Sequence, residues 1–114
     1  ALLGCSSAPE KKGGGWLGYT ESAKASYYSS KYQSKKTASG EPYDQVKMTA
    51  AHKKLPFGSK VKVTNLENRK KVIVTINDRG PYIKDRIIDL SRSAFKKIAN
   101  LEAGLIEVKI EVIN

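Results

Sequence analysis

Residues 86–113 read RIIDLSRSAFKKIANLEAGLIEVKIEVI, and the order of patterns in this stretch decides the fold. Arg86 to Asp89 is a short β-branched run. Ser91 then supplies an N-cap for a helix whose apolar positions, Ala94, Phe95, Ile98 and Ala99, fall on one face. From Leu105 to Ile113 the chain alternates, with Ile106, Val108, Ile110 and Val112 on one side and Glu107, Lys109 and Glu111 on the other, the period of a half-buried strand. Gly104 releases the chain into that run. This is the one helical crossover suggested by the sequence, whereas a doubly wound sheet needs a helix between each pair of parallel strands.

Working outward, Lys60-Val61-Lys62-Val63-Thr64 alternates, as does Lys71-Val72-Ile73-Val74-Thr75-Ile76 with Val72, Val74 and Ile76 inward. Ala23 to Tyr28 suits a further short strand, and Ser29 to Gly40 is polar, Lys-rich and loop-like. Short strands, one or two short helices and long loops predict a mainly β protein built as a small barrel. At 114 residues there is room for one such domain. We read residues 23–114 as the barrel and residues 1–22 as a leader, with no internal repeat.

That leader begins Ala1-Leu2-Leu3-Gly4-Cys5. A small residue before Cys with Leu upstream resembles a bacterial lipobox, which makes Cys5 a candidate acylation site and the route of a membrane anchor. The stretch from Ser6 to Gly15 is small, charged and Gly-rich, with too little apolar surface to offset its ordering entropy, and reads as a tether. Ser6 and Ser7 lack the Asp that marks inner-membrane retention, so the outer membrane is the expected destination. The sequence reaches Asn114 directly after the last strand, so no C-terminal glycan-binding repeat is expected. No apolar run approaches the roughly 20 residues of a membrane span.

Lys and Arg number 21 against 11 Asp and Glu, a formal charge of +10, and such a surface draws in polyanions. Nucleic acid is not expected, because the lysines stand singly or in pairs and no RNP aromatic, zinc-finger or recognition-helix pattern accompanies them. An anionic envelope polymer fits the charge. Cys5 is the only cysteine, which leaves no intramolecular disulfide, and one histidine with no companion ligands gives no metal spacing. No cofactor is called for, and a monomer is expected.

The stretch from Thr37 to Gly58, TASGEPYDQVKMTAAHKKLPFG, holds Glu41, Asp44 and the sole histidine, His52. Cleaving a glycosidic bond needs a proton donor for the leaving oxygen and a group for the oxocarbenium-like centre or the attacking hydroxyl, and these three residues are candidates. The competing reading makes them loop acids, turn caps and a packed histidine. In Ile76-Asn77-Asp78-Arg79-Gly80-Pro81-Tyr82, Asp78 and Arg79 either pair or meet substrate, or else Asp78 accepts backbone N–H bonds in a turn shaped by Gly80 and Pro81. Tyr27, Tyr28, Tyr32, Tyr43 and Tyr82 offer faces that match sugar C–H surfaces, though some must be core. No Ser stands in a nucleophile elbow.

Taken together, ASYYSSKY, KTASGEPYD, MTAAHKKLPFGSKVKVTNLEN, INDRGPY and RIIDLSRSAFKKI resemble the rare lipoprotein A family, over Ala25 to about Ile98. The resemblance implies a six-stranded double-psi β-barrel and lytic transglycosylase activity on the glycan strands of peptidoglycan. The bond cut is that between N-acetylmuramic acid and N-acetylglucosamine, with anhydromuramic ends and a preference for strands freed of stem peptides. It further implies that Asp44 and His52 are central and Glu41 assists; the mechanism expected on that basis makes Asp44 the acid and then the base, with His52 tuning its pKa or sharing the proton. Asp78 and Asp89 resemble groove-lining acids of related barrels, including expansins; Arg79, Tyr43 and Tyr82 join them as expected substrate contacts. Two other readings compete. One is a non-catalytic, expansin-like wall-loosening module, and the other is an envelope adaptor that binds a protein partner.

Overall fold

The computed structural model describes residues 15–114. The lipobox-like segment, Cys5 and most of the tether lie outside the described residues. Six strands, β1 (Thr20–Tyr27), β2 (Thr49–Ala51), β3 (Lys60–Asn65), β4 (Lys71–Asp78), β5 (Arg86–Leu90) and β6 (Ile106–Val112), close into a barrel in the order β1-β5-β2-β4-β3-β6. The β1–β5 and β2–β4 pairs are parallel and the other four antiparallel. A mainly β barrel with one short helix, α1 (Arg92–Ile98), and two 3-10 turns is thus the architecture read from the sequence.

Alternation fixes which side chains fill the barrel. Val61 faces Val74 and Val112, Val63 faces Val72 and Ile110, and all are buried, while Lys60, Lys71 and Lys109 on the opposite faces are exposed. A one-residue slip would turn every one of these valines outward, so burial itself specifies the register. β1 begins at Thr20, so Thr20–Ser22 pair with β6 and belong to the barrel although their composition resembled tether.

α1 plugs one end. Ser91 caps it by accepting the Ala94 N–H at 3.2 Å, and Ala94, Phe95 and Ile98 are fully buried. Ala99, expected inside the helix, is instead its half-buried C-cap. The carbonyl of Ile98, left without a partner in its own helix, accepts the side-chain amides of Asn65 (2.8 Å) and Asn68 (2.9 Å) from the end of β3 and the loop after it. Ser91→Ala removes the cap inside a fully buried setting and is expected to lower stability by about 1 kcal/mol, readable as a fall in the urea midpoint with unchanged slope.

β2 was not anticipated. Thr49–Ala51 is too short to show alternation, and two of its three residues are poor strand formers; it is extended because β4 and β5 flank it on both sides.

Candidate functional site

The barrel topology brings two carboxylates into one cross-strand row. Ala51 of β2 pairs with Asp78 of β4 on one side and Asp89 of β5 on the other, and Asp89 pairs in turn with Ser26 of β1. With strands about 4.8 Å apart, the α-carbons of Asp78 and Asp89 stand about 10 Å apart across a floor made by the small Ala51. An open groove of ≈ 440 Å³ lies over this row, with Tyr28, Tyr32, Tyr82 and Arg86 among its walls.

Each acid is held in place. Asp78 Oδ1 accepts the main-chain N–H of Ala38 (2.8 Å) and of Arg79 (2.9 Å), and Oδ2 accepts the hydroxyl of Tyr28. Burial, and then the hydrogen bond to Asp78, raise the Tyr28 phenol far above its ordinary range, so it remains a donor. Asp89 Oδ1 accepts from the Ser26 hydroxyl and from Arg86 Nη2 at 2.8 Å. Arg79 does not pair with the Asp78 carboxylate. Its Nη1 donates to the carbonyls of Leu55 (2.8 Å) and His52 (3.3 Å), and its guanidinium lies 4.1 Å over the Phe57 ring.

The other expected residues part company. Glu41 and Asp44 line a neighbouring hollow of ≈ 320 Å³ with Lys47 and Asn77. Glu41 Oε1 accepts from Asn77 Nδ2 at 3.2 Å, one residue from Asp78, whereas Asp44 Oδ1 accepts the N–H of Val46 in its own turn. His52 lines a third, smaller pocket of ≈ 130 Å³ with Tyr19 and Glu21 and is 4% exposed. Its Nδ1 accepts the N–H groups of Lys54 (3.0 Å) and Leu55 (3.2 Å), and Nε2 stands 3.2 Å from Glu21 Oε1. Desolvation lowers the imidazole pKa, opposed by the Glu21 contact, so the neutral ring is favoured. With both ring nitrogens engaged elsewhere, the expected proton sharing between His52 and Asp44 has no contact to run through. His52 is separated from Glu41 and Asp44, its neighbours in sequence, because β2 intervenes and the chain turns on either side of it.

Tyr82 is 76% exposed at the groove rim. Tyr43 is not available for stacking on a sugar. It is 2% exposed, its ring stacks on Tyr28 at 4.4 Å, and its hydroxyl accepts the N–H of Arg92 at 3.1 Å. Sequence reading overlooked Tyr28 as the partner of Asp78, Arg86 as the cation beside Asp89, and Glu21, which fell inside the segment read as leader. Among the described residues no cluster of acids, histidines or cysteines suits a metal ion.

Residues 20–110 match a protein-family model described as lytic transglycolase. A Vibrio cholerae protein named endolytic peptidoglycan transglycosylase RlpA is 54% identical over 96 residues, covering 84% of this chain and 36% of the relative. A Pseudomonas aeruginosa protein of the same name is 54% identical over 90 residues, 79% of this chain and 26% of that one. The chain therefore spans about a third or less of the length of these relatives. Among solved structures, the Streptomyces papain inhibitor superposes with TM-score 0.71 at 23% identity, covering 86% of this chain and 97% of that one. A Clavibacter michiganensis expansin superposes with TM-score 0.67 at 20% identity, covering 83% and 50%, a likeness of fold alone.

Proposed function

The chain belongs to the rare lipoprotein A family of double-psi β-barrel proteins, and from that membership we propose that it is the glycan-cleaving barrel of a peptidoglycan lytic transglycosylase. The substrate is the β-1,4 linkage between N-acetylmuramic acid and N-acetylglucosamine, preferably in strands that lack stem peptides. The observation that carries this reading is the open groove floored by Ala51, with the oriented carboxyls of Asp78 and Asp89 on either side.

Asp78 is the residue best suited to the chemistry. Its carboxyl donates a proton to the glycosidic oxygen as the bond to C1 of the muramic residue breaks, leaving an oxocarbenium-like centre. The C6 hydroxyl of the same sugar then attacks C1 and returns its proton to the Asp78 carboxylate, closing the anhydro ring without consuming water. Three hydrogen bonds hold the carboxyl in one orientation through both transfers, and preorganisation of this kind is what such a step requires. Asp89, fixed by Ser26 and Arg86, faces the same groove and favours the developing positive charge. Glu41 and Asp44 belong to the adjoining hollow and contact the glycan where the strand runs on past the cleaved bond. The open groove admits a polymer chain, and the positive surface draws it in through its carboxylates.

The same proposal takes Cys5 as the lipid attachment site of a leader that ends before β1, supported by the lipobox-like order Leu2-Leu3-Gly4-Cys5, and locates the barrel in the cell envelope on the wall side of the outer membrane, as a monomer. Incubation of the chain with peptidoglycan, intact and amidase-stripped, is expected to release anhydromuramic fragments detectable by mass spectrometry, in greater amount from the stripped sacculi. Retention on sacculi without any fragment would transfer the protein to the expansin-like, wall-loosening reading. Neither retention nor fragments would leave the adaptor reading.

A further inference from the structure

We propose that His52 is a positioning residue: its imidazole builds the turn from Lys53 to Leu55, and this turn holds Arg79 and, through Arg79, the backbone that aims Asp78 into the groove. The proposal rests on the reading of the groove as the cleaving site, and it gives the histidine a task other than proton transfer.

The geometry has two halves. On the ring side, Nδ1 receives two main-chain N–H groups, from Lys54 and Leu55, so it carries a lone pair and no proton. The ring proton is therefore on Nε2, facing Glu21 Oε1, which is itself approached by the Tyr19 hydroxyl at 3.2 Å. Neither nitrogen has a proton or lone pair left for a glycan, and His52 is absent from the walls of the Asp78 groove. On the backbone side, the turn so formed points the carbonyls of His52 and Leu55 at one atom, Nη1 of Arg79, while Phe57 supports the flat face of the guanidinium. The main-chain N–H of His52 donates to the Asp78 carbonyl at 3.2 Å, and the N–H of Arg79 donates to Asp78 Oδ1 at 2.9 Å. Asp78 is thus fastened to the histidine segment through its carbonyl and Arg79 through its guanidinium, and the Arg79 N–H in turn orients the Asp78 carboxyl.

An acceptor two atoms beyond Cβ that takes the N–H groups two and three residues on is also what an Asn side chain provides when its Oδ1 closes an Asx-type turn. Asn at position 52 therefore places an acceptor where Nδ1 stands and carries no titrating group. Ala supplies no acceptor and leaves the buried N–H of Leu55 and the part-buried N–H of Lys54 without the imidazole.

The test compares His52→Asn and His52→Ala in kcat and KM on amidase-stripped glycan and in the amide NMR signals of Lys54, Leu55, Asp78 and Arg79. In His52→Ala, kcat is expected to fall about 10²-fold, the scale of a misplaced catalytic group, with KM little changed, and all four amide signals to move. His52→Asn is expected to recover most of that loss, with the signals of Asp78 and Arg79 close to their original positions and the pH–rate profile retained. If His52→Asn is as inactive as His52→Ala while its Asp78 and Arg79 signals stay in place, the imidazole does chemistry and the proposal falls. If the parent protein cleaves no glycan, the activity reading fails separately, and the proposal is then decided by the spectra: unmoved Asp78 and Arg79 signals in His52→Ala overturn it.

Discussion

Asp78→Asn is expected to lower the rate of glycan cleavage by about 10²–10⁴-fold, the contribution of one positioned acid–base group, while the melting temperature stays close to that of the parent. The substitution is nearly isosteric, and the surroundings accept it. An Asn oxygen in the place of Oδ1 still receives the N–H groups of Ala38 and Arg79, and the amide nitrogen in the place of Oδ2 meets a Tyr28 hydroxyl that can rotate from donor to acceptor. What is lost is the capacity to give and take a proton at the groove. Asp44→Asn serves as the comparison: Asp44 Oδ1 closes its own turn on Val46, an Asn closes the same turn equally well, and its glycan contact lies past the cleaved bond, so the rate is expected to fall far less than in Asp78→Asn. Product release by mass spectrometry, with thermal melting on the same samples, separates the cases. A pair in which Asp44→Asn is inactive and Asp78→Asn is not would return the acid to the neighbouring hollow.

The barrel was legible because alternation is a local signal with a global cause. Each of Val61, Val63, Val72, Val74, Val108 and Ile110 announces its own orientation, and the structure needs only to bring those faces together. The Ser91 cap and the apolar face of α1 were legible for the same reason. The site was less so. β2 has no pattern of its own, yet Ala51 within it is the spacer that sets Asp78 and Asp89 on either side of one floor. Glu41, Asp44 and His52 look like a cluster because they are neighbours in sequence, and the chain parts His52 from the two acids by turning before and after that strand. Glu21 was hidden by falling inside the segment read as leader, and Tyr43 by standing among loop residues while its ring is buried against Tyr28. In each case the deciding contact is with a residue far along the chain, which no window of local sequence contains.

Phe95→Ala is expected to cost about 3–5 kcal/mol, the loss typical of deleting a fully buried aromatic ring, against a total stability of about 5–15 kcal/mol for a domain of ordinary size. Phe95 is fully buried at the centre of the α1 face, and its ring meets Tyr27 at 4.7 Å between centroids, so the truncation forfeits an aromatic pair as well as buried area. The cavity cannot collapse easily, because α1 is tied at its start by the Ser91 cap and at its end by Asn65 and Asn68 on the Ile98 carbonyl. At roughly 4–8 °C per kcal/mol for a domain near this size, the melting temperature is expected to fall by at least about 12 °C. The consequence for function follows from topology. Tyr27 leads directly into Tyr28, the partner of Asp78, so loosening α1 frees the wall of the groove before the barrel itself opens. Cleavage activity in Phe95→Ala should therefore decline at temperatures below the midpoint of unfolding followed by circular dichroism. Activity and unfolding midpoints that coincide would show instead that the plug and the groove wall melt as one unit with the barrel.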